Sequence, residues 1–167
     1  MKKAEFDSLT WANFPSSLKL TVDEATHYGE VTPVTASKPN SRIRMTIKAK
    51  LKDVLYDFSH IALDGWDGSK WFRIEPPPYV PVDLGRGTID WKTVVLETII
   101  PSNVNLIRPY LVAGGGSPEK PAITWFDDLK IYQDDVLIYE NNFSNWAPLI
   151  IIPAEIITGV AAIKFIK

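Results

Sequence analysis

The stretch from Asp64 to Arg73, DGWDGSKWFR, gathers side chains suited to holding a ligand rather than to transforming one. Sugar rings expose C–H faces that stack on Trp and Tyr, and their hydroxyls need planar polar partners such as carboxylates and guanidiniums. Trp66 and Trp71 flank a turn marked by Asp-Gly pairs, with Asp64, Asp67, Lys70 and Arg73 around it. Farther along, Tyr110 and Arg108 share one parity of a strand-like run, opposite to Ile107 and Leu111. Trp66, Trp71, Asp64, Asp67, Arg73 and Tyr110 are therefore the candidate ligand-contacting residues. Tyr79, inside its proline-rich stretch, is a further aromatic candidate. Trp91 and Trp125 lie among apolar strand residues and are assigned to the core.

A different chemistry is offered by Arg42 to Lys52. Ile43, Met45, Ile47, Ala49 and Leu51 fall on one parity, and Arg42, Arg44, Lys48, Lys50 and Lys52 fall on the other. A cationic row of this kind could meet phosphates or uronic acids. It also serves a plainer purpose, because charges on an exposed strand face keep it soluble and block edge-to-edge pairing. The plainer purpose is the stronger reading, and nucleic acid is an unlikely partner.

Catalytic chemistry finds little to work with. The chain has no cysteine, and its two histidines, His27 and His60, have no spacing that suggests a metal pair. No nucleophile elbow, phosphate-cradling loop or zinc-protease helix occurs. Gly114 to Gly116 lacks the lysine and the helix a phosphate loop needs and reads as a flexible turn. A non-enzyme is expected.

These residues must be positioned by strands. With 167 residues the chain suits one domain with a sizeable core, and 46% apolar against 23% charged residues excludes global disorder. Thirteen prolines punctuate runs with period-two alternation, and no run before the tail has helical amphipathicity. Strand-like runs recur about every ten residues, which predicts an all-β antiparallel β-sandwich of jelly-roll type. Separate strands are predicted over 42–52 and 54–63, others over 91–100, 104–112 and 123–132, and a loop or edge excursion before Gly87. The domain spans 1–147. Residues 148–167 form an apolar extension, interrupted by Pro153 and Glu155, that packs on the core or on another copy; no membrane span is expected of it. The opening MKKAEFDSLTW has two lysines without an apolar run behind them, so no signal peptide is expected in the chain as given.

The order of motifs in the central stretch carries a resemblance. Trp91-Lys92 opens a strand that ends in Ile-Pro; NVNLIRPYLV, a Gly-rich turn and TWFDDLKIY follow. This order resembles the C-terminal half of jelly-roll carbohydrate-binding modules appended to xylanases, cellulases and polysaccharide lyases, over residues 54–139. The resemblance implies a non-catalytic domain that binds a polysaccharide or glycan, outside the cell or at a cell or virion surface. It also implies a structural calcium held by a carboxylate of the Asp127-Asp128 motif and the first strand. Asp128 is the favoured ligand, with Asp7 and Glu5 as partners, since calcium takes several hard oxygen donors. This chain departs from the pattern in continuing to Lys167, and no catalytic domain is expected within these 167 residues. The alternative is a structural β-sandwich of a virion or cell surface that self-associates through its C-terminal segment.

Overall fold

A computed structural model describes residues 1–13, 15–32, 34–74 and 82–144. Tyr79 and the extension 148–167 lie outside them. Every regular element described is a strand: β1 (Lys2–Asp7), β2 (Ser17–Val22), β3 (Tyr28–Val31), β4 (Thr35–Ala36), β5 (Arg42–Trp66), β6 (Trp71–Ile74), β7 (Val82–Ile99), β8 (Leu106–Ala113), β9 (Ala122–Gln133) and β10 (Val136–Asn141). All the pairings are antiparallel. The expected all-β sandwich is the fold found. No helix among the described residues is long and apolar enough to cross a membrane.

Two long strands make one hydrogen-bonded network into two layers. The first half of β5 pairs with β9 and with the second half of β7. The second half pairs with β8 and β6. Between the halves, Asp53 and Asp57 take the left-handed region at φ 57° and 55°, where the ladder to β7 shifts register. Asp tolerates that region better than most residues, and bulges let a strand bend without ending. The strands predicted separately over 42–52 and 54–63 are therefore one strand that changes layer. β7 likewise begins at Val82, inside what reads as a loop in the sequence.

The first layer runs β1-β2-β9-β5-β7, with β10 beside the end of β9. The second comprises β3 and β4 beside β8, then the second half of β5, then β6. Between them lies one core. Ile43, Met45, Ile47, Ala49 and Leu51 have no exposed surface and pack with Ile61, Leu63, Ile107 and Leu111 from the other layer. Burying each large aliphatic side chain contributes about 1.5–3 kcal/mol, the term that holds the layers together.

Two expectations are corrected. Gly114 to Gly116 is not a loose turn: all three residues are buried, and a Cβ on Gly115 would collide with the backbone oxygens of Glu24 and Thr26. Glycine is there for close approach of chains. Trp91 is only half buried and does not belong to the core. Trp125 is buried, at 6% exposure.

Candidate functional site

The outer face of the second layer is built by register. Its inward positions, Leu63, Gly65, Ile107, Leu111 and Ile74, are buried. The residues between them therefore turn outward. Trp66 pairs with Trp71 on one side and Leu106 on the other. One step along, Asp64 lies between Arg73 and Arg108. A further step brings Ala62 opposite Tyr110. Two strands joined by a short turn and a third distant in sequence thus place Trp66, Trp71, Asp64, Arg73 and Tyr110 on one surface.

Charge and aromatic contact bind the group together. Arg73 Nε donates to Asp64 Oδ1 at 2.7 Å, and Arg108 Nε donates to Asp64 Oδ2 at 3.4 Å. The Arg108 guanidinium sits over the Trp71 ring at 4.2 Å, and that of Arg73 over Tyr110 at 4.8 Å. The two indoles lie 5.6 Å apart, tilted by 51°. Asp64 is only 8% exposed, so it depends on both guanidiniums to compensate for lost hydration. The arginines and aromatics around it are half-buried, open enough to meet a ligand. Beneath the ring of Tyr110, a Cβ on Gly29 would come within 2.5 Å of it; the missing side chain lets the tyrosine lie down on the sheet.

Arg108 was not among the candidate contacts, although its parity with Tyr110 is visible in the sequence. What the sequence hides is that it reaches across β5 to Trp71. Asp67 serves the turn instead. Its Oδ1 accepts the amides of Ser69 and Lys70 at 2.9 Å and the Ser69 hydroxyl at 2.7 Å. These donors, the Lys70 amide foremost, hold its carboxyl below the usual range.

Beyond Tyr110 the face ends at histidines. His27 Nδ1 lies 2.7 Å from Asp57 Oδ2, and the His27 and His60 rings are 6.4 Å apart. Burial pushes the His60 imidazole below its ordinary range. Among the described residues no group of three or more His, Cys, Asp or Glu side chains could hold a metal.

The carboxylates expected to ligate calcium are on the opposite face, each engaged by protein donors. Glu5 bridges Lys3 and Lys19, the latter at 3.1 Å. Asp128 meets Lys130 at 2.8 Å and Lys48 at 3.8 Å. Asp7 Oδ1 accepts the amides of Leu9 and Thr10, and its Oδ2 accepts the Trp125 indole N–H at 2.8 Å. A cation needs carboxylate oxygens turned toward one point. Here ammonium groups and N–H donors occupy them, so Asp128, Asp7 and Glu5 as arranged do not fit a calcium ion.

The enclosed carboxylate of the pair is Asp127. It has no exposed surface, and its Oδ2 accepts the amides of Ala12 at 2.9 Å and Asn13 at 2.6 Å. Its Oδ1 accepts the amide of Asp128 at 2.7 Å. Burial pushes this carboxyl above its ordinary range, against the pull of the three amides. The loop after β1 is thereby folded over one end of the first layer's outer face.

The cationic row of β5 lies on that face, and most of its members meet an acid or a ring. Lys50 meets Asp90 at 3.1 Å, Lys48 meets Asp128, and Arg44 lies over the Tyr132 ring at 4.9 Å. At the end of the layer is an open cleft of about 420 Å³, where Lys19, Lys52 and Lys120 alternate with Glu5, Asp53 and Glu119. In both regions acids lie among the cations.

No family model matches the chain, and no curated protein matches it. Solved structures share its fold. A family 16 carbohydrate-binding module is similar with a TM-score of 0.58 at 10% identity, over 78% of this chain and 86% of that one. The CBM22-1 xylan-binding domain of Paenibacillus barcinonensis Xyn10C is similar at 0.51 and 10% identity, over 81% and 83%. The enzymatically active domain of tailspike protein 4 from bacteriophage CBA120 is similar at 0.54 and 9% identity, over 79% of this chain but 18% of that one. Carbohydrate-binding modules of jelly-roll type are thus fold relatives of this chain, as the order of its motifs implied.

Proposed function

We propose that the chain is a non-catalytic glycan-binding domain, and that the polysaccharide lies across the outer face of the second layer. One observation carries this reading. Trp66, Trp71, Tyr110, Arg73, Arg108 and Asp64 form a single half-open surface of rings and planar polar groups. Rings supply the flat apolar area that a pyranose stacks on, while guanidinium and carboxylate supply the in-plane donors and acceptors its hydroxyls need. The fold relatives include modules named for carbohydrate and xylan binding, which agrees with this reading. A domain of this kind works where polysaccharide is, outside the cell or at a cell or virion surface.

Affinity electrophoresis through gels containing a panel of soluble polysaccharides tests the proposal. Retardation on at least one of them, lost in Trp71→Ala, is the expected result. No retardation of the wild type on any polysaccharide refutes it.

A second reading, an assembly module of a virion or cell surface, is favoured by β7. Among the described residues its second half pairs only with β5, and it exposes Val95 and Ile99 at 45% and 59%. Light scattering of the full chain decides this one: a concentration-dependent oligomer supports it, and a monomer at all concentrations removes it.

A further inference from the structure

The proposed glycan face has an unbalanced charge at its centre. Arg73 and Arg108 share one carboxylate, that of Asp64, and each spends only its Nε on it. Neither guanidinium's terminal amino groups have an acceptor among the described residues. The nearby acids are committed or peripheral. Asp67 is held by its own turn, and Glu30 accepts the Tyr28 hydroxyl. Asp57 is bonded to His27, and Asp83 stands at the far end of the layer, opposite His60 in register. Cations share acids on the other face too, Lys48 and Lys130 on Asp128 and Lys3 and Lys19 on Glu5, but those are ammonium groups rather than guanidinium forks.

The stacking geometry says what the excess is for. Guanidiniums already cover one side of the Trp71 and Tyr110 rings. The face therefore presents arginine forks, oriented by Asp64 and backed by aromatic rings. A guanidinium so held is preorganised to take an oxyanion through two parallel N–H donors, which a hydroxyl cannot match. We infer that the ligand is an anionic glycan, a polysaccharide whose sugars carry carboxylate or sulfate groups, with Arg108 and Arg73 taking the oxyanion and Trp66 and Trp71 flanking the ring that bears it. This rests on the glycan-binding reading above and names the class of glycan.

The test compares polymers of three kinds by affinity electrophoresis and isothermal titration, at low and at raised salt. Polygalacturonate and alginate carry carboxylates, dextran sulfate carries sulfates, and xylan, glucomannan and mixed-linkage glucan are neutral. The expected result is a preference of at least about tenfold for an acidic polymer, weakened by salt. Whether carboxylate or sulfate polymers bind identifies the anion. Arg108→Gln should abolish the preference. Arg108→Lys, which keeps the charge without the fork, should retain only part of it, with thermal melts confirming that both variants fold. Lys48→Gln/Lys50→Gln, on the opposite face, should leave it intact. If neutral polymers bind as tightly as acidic ones, the inference is overturned and the glycan-binding reading stands. If acidic polymers bind but only the lysine variant loses them, the assignment to this face is overturned. If no polymer binds at all, both fall together.

Discussion

On the outer face of the first layer, Lys50 meets Asp90 and Lys48 meets Asp128, and a loop is drawn down by the buried Asp127. On the outer face of the second layer, two guanidiniums divide one carboxylate and lie over aromatic rings that stay half-open. Both faces are rich in cations, so charge count alone does not separate them. What separates them is the kind of cation that shares each acid: ammonium groups on the first face, guanidiniums laid over half-open rings on the second. Exposed ion pairs are worth about 0–1 kcal/mol each, and on the first face they chiefly cancel the field of the lysine row. On the second, a nearly buried carboxylate fixes two arginines and leaves net positive charge at an aromatic surface. Under the proposed function, the strand that looks basic would be inert and the surface with fewer cations would hold the ligand.

The largest expected effect would break the first face alone. Asp127→Ala strips three part-buried amides of their acceptor, each at less than the about 1–3 kcal/mol of a fully buried group left unpaired. We expect urea denaturation to show about 2–4 kcal/mol of lost stability, after partial relaxation of the loop, with glycan affinity changed less than about twofold. A loss of affinity equal to the loss of stability would join the two faces into one unit. The converse change is Trp71→Ala. It should weaken binding about tenfold, or roughly 1.4 kcal/mol, with little change in denaturation midpoint because the indole is half-exposed.

A smaller effect appears on acidification. Burial raises the Asp7 carboxyl, but the Trp125 indole N–H and the amides of Leu9 and Thr10 outweigh it and hold it below its ordinary 3.8. Its stabilisation is therefore full above pH 3.8 and lost as pH falls through the lower folded value. Asp7→Asn should cost stability at neutral pH, and the difference from wild type should close below pH 3.8, read from thermal melts across an acid series. A difference that persists unchanged at the acid end would mean that the carboxylate charge is not what holds Trp125. Smallest of all is Lys48→Gln/Lys50→Gln, expected to shift stability by under about 1 kcal/mol.

The sequence foretells the first layer's inner side better than anything else. The alternation from Ile43 to Leu51 is strict, and all five apolar residues are fully buried. The cluster of Trp66, Trp71, Asp64 and Arg73 was also legible, because a short turn keeps residues close in space when they are close in sequence. Features made by long-range register were hidden. Alternation cannot show that Asp127 rather than Asp128 is enclosed, since an extra residue between the partners of Thr46 and Lys48 places Asp128 at φ 51°. Nor can composition show that Gly114 to Gly116 is buried against another chain segment, or that β5 continues through Asp53 and Asp57. The reach of Arg108 to Trp71 depends on β5 lying between β6 and β8, a fact of topology alone.

The most direct test of the account follows indole N–H resonances in a heteronuclear NMR titration of the full chain with an oligosaccharide of whichever polymer retards it. The account expects the Trp66 and Trp71 signals to shift with saturation while that of Trp125, whose N–H donates to Asp7 on the other face, stays in place. If Trp125 shifts and Trp66 and Trp71 do not, the ligand lies on the first layer and the central claim is wrong.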